Sequence, residues 1–172
     1  MASNIVEMTK ELAQDFIYFK VGKANPVTSI SLSARTLKRV ATEVEAKHGD
    51  LFESMTRRIS CSDDNISESF KKIVENMFAD NVINWGRIAV LFTFAGHIAL
   101  YCDRHGSQED PDLVVLLLTE FVNRKLLKWI QNNGGWDSFN EHFKERKDDT
   151  GVWWRDALCV GLVAGAALVF AR

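Results

Sequence analysis

The hydrophobic pattern is densest at residues 88–101, where no charged side chain interrupts the sequence. Apolar residues there fall on every side of a 3.6-residue helix, so such a helix is buried all round or lies in lipid. It would be about 21 Å long, short of the roughly 30 Å hydrocarbon core of a bilayer. We therefore predict a central core helix rather than a membrane span, with Asn84 as its N-cap.

Amphipathic patterns on either side of this helix predict the other elements. The predicted helices are residues 5–21, 31–48 (ended by Gly49), 51–59, a helix opened by Ser67-Glu68 and closed by Asp80-Asn81, 113–130 (capped by Asp112) and 136–144. No stretch alternates as a β-strand does. The sequence therefore predicts an all-α bundle of about eight helices around an inner hairpin of residues 88–101 and 113–130.

The C-terminal tail is the second long apolar stretch. Residues 157–171 carry no charge, and Trp153 and Trp154 precede them at the place where an interfacial aromatic belt would lie. A final core helix is the alternative to a membrane anchor. Because the tail is apolar on all sides and follows a charged linker, we predict two regions: a helical bundle with a surface groove at residues 1–148 and a membrane-anchor helix at residues 149–172.

Composition narrows the class of protein. The 172 residues are 47% hydrophobic and 26% charged, with a net charge of −2, which predicts one well-buried domain and no nucleic-acid partner. Three widely spaced cysteines favour a reducing compartment over a disulfide framework. The N-terminus has no uninterrupted apolar segment of the kind that a secretory signal requires.

The sequence contains none of the common catalytic or ligand-binding motifs. It has no glycine-rich phosphate loop, CxxC, HExxH or GxSxG, and its four histidines are scattered. His97 lies in the apolar helix and is expected to be a core histidine with a hydrogen-bond partner. We therefore expect no catalytic residues, no metal ligands and no cofactor, and interpret the chain as a protein other than an enzyme.

Three apolar ridges surround one unusual arginine. Arg87 begins the apolar helix, where the helix dipole disfavours a cation, so its expected purpose is external rather than structural. The ridges are formed by Leu91 and Phe94 on the same helix, by Ile73, Val74 and Met77, and by His48, Phe52 and Met55. This arrangement is typical of a groove for an amphipathic partner helix that carries an acid.

Two longer motifs resemble those of a known family. Residues 84–87, Asn-Trp-Gly-Arg, look like the first homology motif of the B-cell lymphoma-2 family of apoptosis regulators, and residues 129–139 look like the second. Glu11-Leu12 and Asp15-Phe16 are similar to the fourth motif of pro-survival members. Residues 36–40 resemble the third motif, most closely that of the myeloid-cell-leukaemia type.

The third motif departs from the family pattern. A small residue and then an aspartate usually follow the second apolar anchor, whereas this chain has Ala41 and then Thr42. The departure weakens any role of this helix as a ligand donated to another family member. Its role as a wall of the groove is unaffected.

The resemblance implies a set of groove residues. Arg87, assisted by Asn84, would pair with the aspartate of a partner's third-motif (BH3) helix, and Asp80 would meet a basic residue of that helix. The full set of predicted groove residues is His48, Phe52, Met55, Ile73, Val74, Met77, Asp80, Asn84, Gly86, Arg87, Leu91 and Phe94.

The resemblance also implies a function. The expected role is anti-apoptotic: binding the BH3 helices of Bak-like, Bax-like and BH3-only proteins on the cytosolic face of the mitochondrial outer membrane or endoplasmic reticulum, and partly in the cytosol. The rival is a Bak-like effector that inserts its central hairpin and forms pores. An effector must donate its own third-motif helix, so Thr42 favours the first role. A pore-forming toxin or an enzyme on a similar bundle has no supporting motif.

Removal of residues 152–172 should convert a membrane-bound protein into a soluble one that retains its helices, because the uncharged run between Arg155 and Arg172 would supply the anchoring energy. Carbonate extraction of membranes and circular dichroism of the truncated chain measure the two properties. Loss of helicity on truncation would show that the tail is a core helix.

Overall fold

The computed structural model describes residues 2–25, 31–60, 65–105 and 111–144. The described elements are α1 (Ala2–Val21), α2 (Leu32–Ser60), α3 (Ile66–Met77), α4 (Trp85–Arg104), α5 (Pro111–Phe121), a π-helical segment (Val122–Leu126), α6 (Leu127–Asn132) and α7 (Gly135–His142). No strand occurs within these ranges. The prediction of an all-α bundle is confirmed.

Helix α4 lies at the centre of the bundle. All residues from 85 to 96 are buried, and α4 packs against α1, α2 and α5. By length and hydropathy alone α4 is able to cross a membrane, but 83% of its most apolar window is buried inside the bundle. The predicted central core helix and its contact with the next long helix are confirmed.

Helix α2 consists of two helical segments that meet at a kink, at the boundary that the sequence predicted between two helices. The backbone leaves helical geometry at His48, with φ −135° and ψ 21°, and the helix then continues to Ser60. The first segment therefore ends at His48, directly before Gly49, as predicted. Phe52 and Met55 beyond the kink are buried, so packing continues through the glycine and keeps both halves on the core.

The helix predicted to begin at residue 113 begins two residues earlier, at Pro111. Pro111 occupies its first turn, a position that suits a residue without a backbone N–H. Asp112 is thus inside the helix and is not its N-cap, which corrects the prediction. The Asp112 carboxylate instead accepts a hydrogen bond from the Tyr18 hydroxyl at 2.7 Å, which links α5 to α1.

Helix α7 carries the second motif into the core. Gly134 and Gly135 turn the chain with φ values of +87° and +67°, which glycine adopts without strain. Trp136 is buried after this turn, and its indole N–H donates to the Thr9 hydroxyl of α1 at 3.0 Å. The second motif therefore fastens α7 to α1.

The C-terminal tail lies outside the described residues. The predicted region boundary after residue 148 and the predicted anchor at residues 149–172 both fall there.

Gly96→Ala should destabilise the bundle by about 1–3 kcal/mol, the usual cost of overpacking. An added Cβ would lie 2.9 Å from Cε1 of the buried Phe16 ring and 2.8 Å from Cγ of Lys20, both on α1. Urea denaturation of the two proteins measures the difference in the free energy of unfolding.

Gly49→Ala is the matched control, because nothing lies within 4 Å of its added Cβ. This substitution should leave stability unchanged or raise it by up to about 1 kcal/mol, since alanine is the better helix former. Equal effects of the two substitutions would show that α1 and α4 are not in close contact at Gly96.

Candidate functional site

Asn84 fixes the start of α4. Its backbone is extended, with φ −150° and ψ 166°, and its side-chain oxygen accepts a hydrogen bond from the Arg87 backbone N–H at 2.8 Å. The predicted N-cap is confirmed. This bond satisfies one of the backbone N–H groups that have no partner within the helix at its start.

The Arg87 guanidinium is fully buried and paired within the chain. Nη1 donates to Oδ1 of Asp80 at 2.6 Å, and Nη2 donates to Oδ2 at 2.7 Å. Nη1 also donates to the carbonyl oxygens of Val82 at 2.9 Å and Met77 at 3.3 Å. One guanidinium therefore holds the segment between α3 and α4 against the start of α4.

The expectation that Arg87 serves only an external purpose is wrong. A buried arginine with one carboxylate and two backbone carbonyls as acceptors has a structural role. The helix-dipole argument missed it because the pattern of α4 alone cannot show that residues 77–82 turn back over the guanidinium. The Asp80 carboxylate, expected to meet a partner's basic residue, is likewise engaged with Arg87.

One nitrogen of the guanidinium has no hydrogen-bond partner among the described residues. This nitrogen is Nε of Arg87, and it is buried. A buried donor without an acceptor typically costs about 1–3 kcal/mol. The site therefore contains both a satisfied edge of the guanidinium and an unsatisfied one.

Asp80 is held in its ionised form. Hydrogen bonds from the Arg87 guanidinium, and then from the backbone N–H of Val82, lower the pKa of Asp80 to about 2. Asn81 allows this turn, because its φ of +58° lies in the left-handed region that asparagine tolerates.

The apolar groove residues form part of the core. Apart from His48, Asp80 and Asn84, every predicted groove residue is buried. Phe94 of α4 stacks on Phe70 of α3 with ring centroids 5.9 Å apart, and Phe52 of α2 stacks on His97 at 5.1 Å. The structure thus places the apolar members of the three predicted ridges in one hydrophobic cluster, while an open groove between the ridges stays a prediction.

Sequence reasoning missed the polar hub beside these ridges. Glu45 of α2 pairs with Lys20 of α1, and its Oε1 lies 2.8 Å from Nε2 of His97 on α4. Burial raises the pKa of the Glu45 carboxyl, but hydrogen bonds from His97 and Lys20 outweigh burial and leave it below its usual value. The sequence offered one signal for this hub: His97 follows Phe94 by three positions, so both lie on the same face of α4.

Comparison with known proteins identifies the family. The family described as "Apoptosis regulator proteins, Bcl-2 family" matches residues 37–136, more than half of the chain. The chain belongs to this family. The match includes α4, Arg87 and the apolar ridges around them.

Two curated relatives illustrate the extent of similarity. Apoptosis regulator Bcl-2 of Canis lupus familiaris is 34% identical over 62% of this chain, which spans 44% of the length of that relative. Anti-apoptotic protein NR13 of Coturnix japonica is 27% identical over 83% of this chain and 80% of its own length. The assignment to the myeloid-cell-leukaemia type stays a prediction.

Solved structures share the fold. The zebrafish pro-survival protein NRZ, in complex with Bad BH3, has a TM-score of 0.75 and 27% identity, covering 83% of this chain and 97% of its own. Chicken BOK has a TM-score of 0.71 and 23% identity over 83% of this chain and 97% of its own, and at this identity the likeness shows the fold alone.

The stability that the Asp80 carboxylate adds should depend on acid pH. The folded pKa, about 2, lies below the unfolded value near 3.8, so the contribution is complete above about pH 4 and declines as the pH falls toward 2. Urea denaturation of the parent and of Asp80→Asn between pH 6 and pH 2 should show a stability difference that shrinks over this window. A difference that stays constant down to pH 2 would contradict the ionised pair.

Proposed function

We propose that this chain is a pro-survival regulator that binds the amphipathic BH3 helix of pro-apoptotic proteins along the ridges of α2, α3 and α4. The observation that carries the proposal is the buried guanidinium of Arg87, whose Nε has no hydrogen-bond partner in the described part of the chain. A carboxylate on an apolar helix face is the group that such a donor recognises.

The apolar half of the proposed site supports an amphipathic ligand. Phe52 of α2, Phe70 of α3 and Phe94 of α4 are buried in one cluster. A partner helix would insert its own apolar anchors where these ridges part. Opening the ridges exposes apolar surface, and a ligand of matching apolar character restores the burial.

The comparisons with known proteins support the proposed binding of BH3 helices. The relative NR13 bears the description anti-apoptotic and aligns over most of the chain, and the NRZ structure contains a bound BH3 segment of Bad. We therefore propose BH3 helices as the ligand class. By this binding the protein would prevent permeabilisation of the mitochondrial outer membrane, with the C-terminal tail holding it at that membrane or at the endoplasmic reticulum.

A pore-forming effector is the second candidate. It is favoured by the length and hydropathy of α4, which suffice for a membrane crossing. Against it stands the third motif. Thr42 is exposed and bonds to the Lys38 carbonyl, whereas the motif's apolar anchors Leu37 and Val40 are buried in the bundle.

Isolated mitochondria distinguish the two functions. The purified full chain should block the cytochrome c release that an activated Bak-like protein causes, and should cause no release when added alone. Release by the chain alone would favour the effector function.

Arg87→Ala should weaken binding of a Bad BH3 peptide by about thirtyfold or more. Removing one partner of a buried charge pair typically costs about 2–5 kcal/mol. The structure adds that this variant also loses stability, because residues 77–82 lose their anchor. Calorimetric titration at a temperature where melts show a folded protein is the measurement.

Arg124→Ala is the matched control, since Arg124 is an exposed arginine that pairs with Glu75 outside the ridges. It should bind the peptide within about twofold of the parent. Arg87→Lys should recover only part of the binding, because an ammonium lacks the planar fork. If Arg87→Ala bound the peptide within about twofold of the parent, a residue other than Arg87 would bind the peptide carboxylate.

A further inference from the structure

The guanidinium of Arg87 offers two edges for a carboxylate, and the described part of the chain uses only one of them. Asp80 takes the end edge through Nη1 and Nη2 in a bidentate pair. The side edge consists of the Nε N–H and the second N–H of Nη2. Nε has no acceptor among the described residues, and Nη2 bonds only to Asp80 there.

We propose that Asp80 is a positioning residue: it holds the Arg87 guanidinium by its end edge, so that the side edge receives the carboxylate of a bound BH3 helix. This inference rests on the proposed function. It departs from the expectation that Asp80 contacts a basic residue of the partner. Instead, the carboxylates of Asp80 and of the partner's aspartate both bind the Arg87 guanidinium.

The surroundings of the Arg87 guanidinium favour binding of a partner carboxylate beside Asp80 over displacement of Asp80 by the partner. Nη1 is held by the carbonyls of Val82 and Met77 in addition to Asp80, and Asn81 shapes the turn that presents all three acceptors. A partner that expelled Asp80 would have to reshape this turn. A partner at the side edge leaves every existing bond in place and supplies the missing acceptor.

Charge and burial are consistent with a second carboxylate. Asp80 is partly exposed, with 37% of its side chain accessible, so water screens its charge from an incoming acid. The side edge is buried with Arg87, where a charge-assisted bond is stronger than in water. The end edge therefore meets solvent through Asp80, while the side edge is buried and has an Nε without an acceptor among the described residues.

A double-mutant cycle tests the proposal. The proteins are the full 172-residue chain and its Asp80→Asn variant, and the probes are a Bad BH3 peptide and the same peptide with its motif aspartate changed to asparagine. We expect Asp80→Asn to weaken binding of the first peptide by about tenfold, equivalent to about 1.4 kcal/mol, and of the second by less than about twofold. Coupling to the peptide carboxylate is a result that general loosening of the fold would not produce.

Three results would overturn the proposal. Tighter binding by Asp80→Asn would show that Asp80 competes with the partner. Equal weakening of both peptides would show a general structural effect. If the effect of Asp80→Asn disappeared only with a third peptide in which a basic residue is changed, Asp80 would contact that basic residue directly. Absence of any binding by the parent would instead overturn the proposed function and this inference with it.

Arg87→Lys provides a second measurement that does not depend on the folding of Asp80→Asn. Lysine keeps a cation opposite Asp80 but has no side edge. This variant should bind the two peptides with affinities within about twofold of each other, whereas the parent should prefer the aspartate peptide by about tenfold. A preference as large as that of the parent would overturn the assignment of the side edge.

Discussion

The enclosure of α4 is the constraint on which the rest of the structure depends. Because α4 presents apolar groups in all directions, α1, α2 and α5 have to cover it from different sides. Polar groups that enter this interior then need partners inside the protein. Arg87 pairs with Asp80, the Thr93 hydroxyl donates to the carbonyl of Ala89, and His97 lies against Glu45. The polar contacts of the bundle are therefore a consequence of its apolar centre.

Patterns within single helices were the part of the fold that the sequence predicted well. The uncharged run after Arg87 predicted the buried helix, and Asn84 predicted its start, because both signals lie within a few residues of each other. The links that join separate elements were not predictable in the same way. The return of Asp80 onto Arg87 depends on which surfaces meet after folding.

For the candidate site, the sequence predicted residues that the structure brings into one buried cluster, but it did not predict that they pack as core. Phe52, Met77 and Phe94 do lie together, yet they are packed as core. A ligand that enters between them acts on the same contacts that stabilise the fold. Arg87 has a similar double character, since it fastens the turn before α4 and also keeps a donor unsatisfied. Changes at this site therefore alter folding and recognition together, and only comparisons between paired ligands separate the two.

The bond between Trp136 and Thr9 bears on shortened forms of the protein. The indole N–H of Trp136 has its acceptor on α1, in the same buried layer where Trp136 meets Phe92 of α4. A splice isoform or a protease fragment that began after Val21 would leave that N–H without its acceptor and would uncover one side of α4. Such a product would lose its native packing and become a substrate for quality-control degradation, so α1 is an integral part of the domain and not a removable regulatory extension.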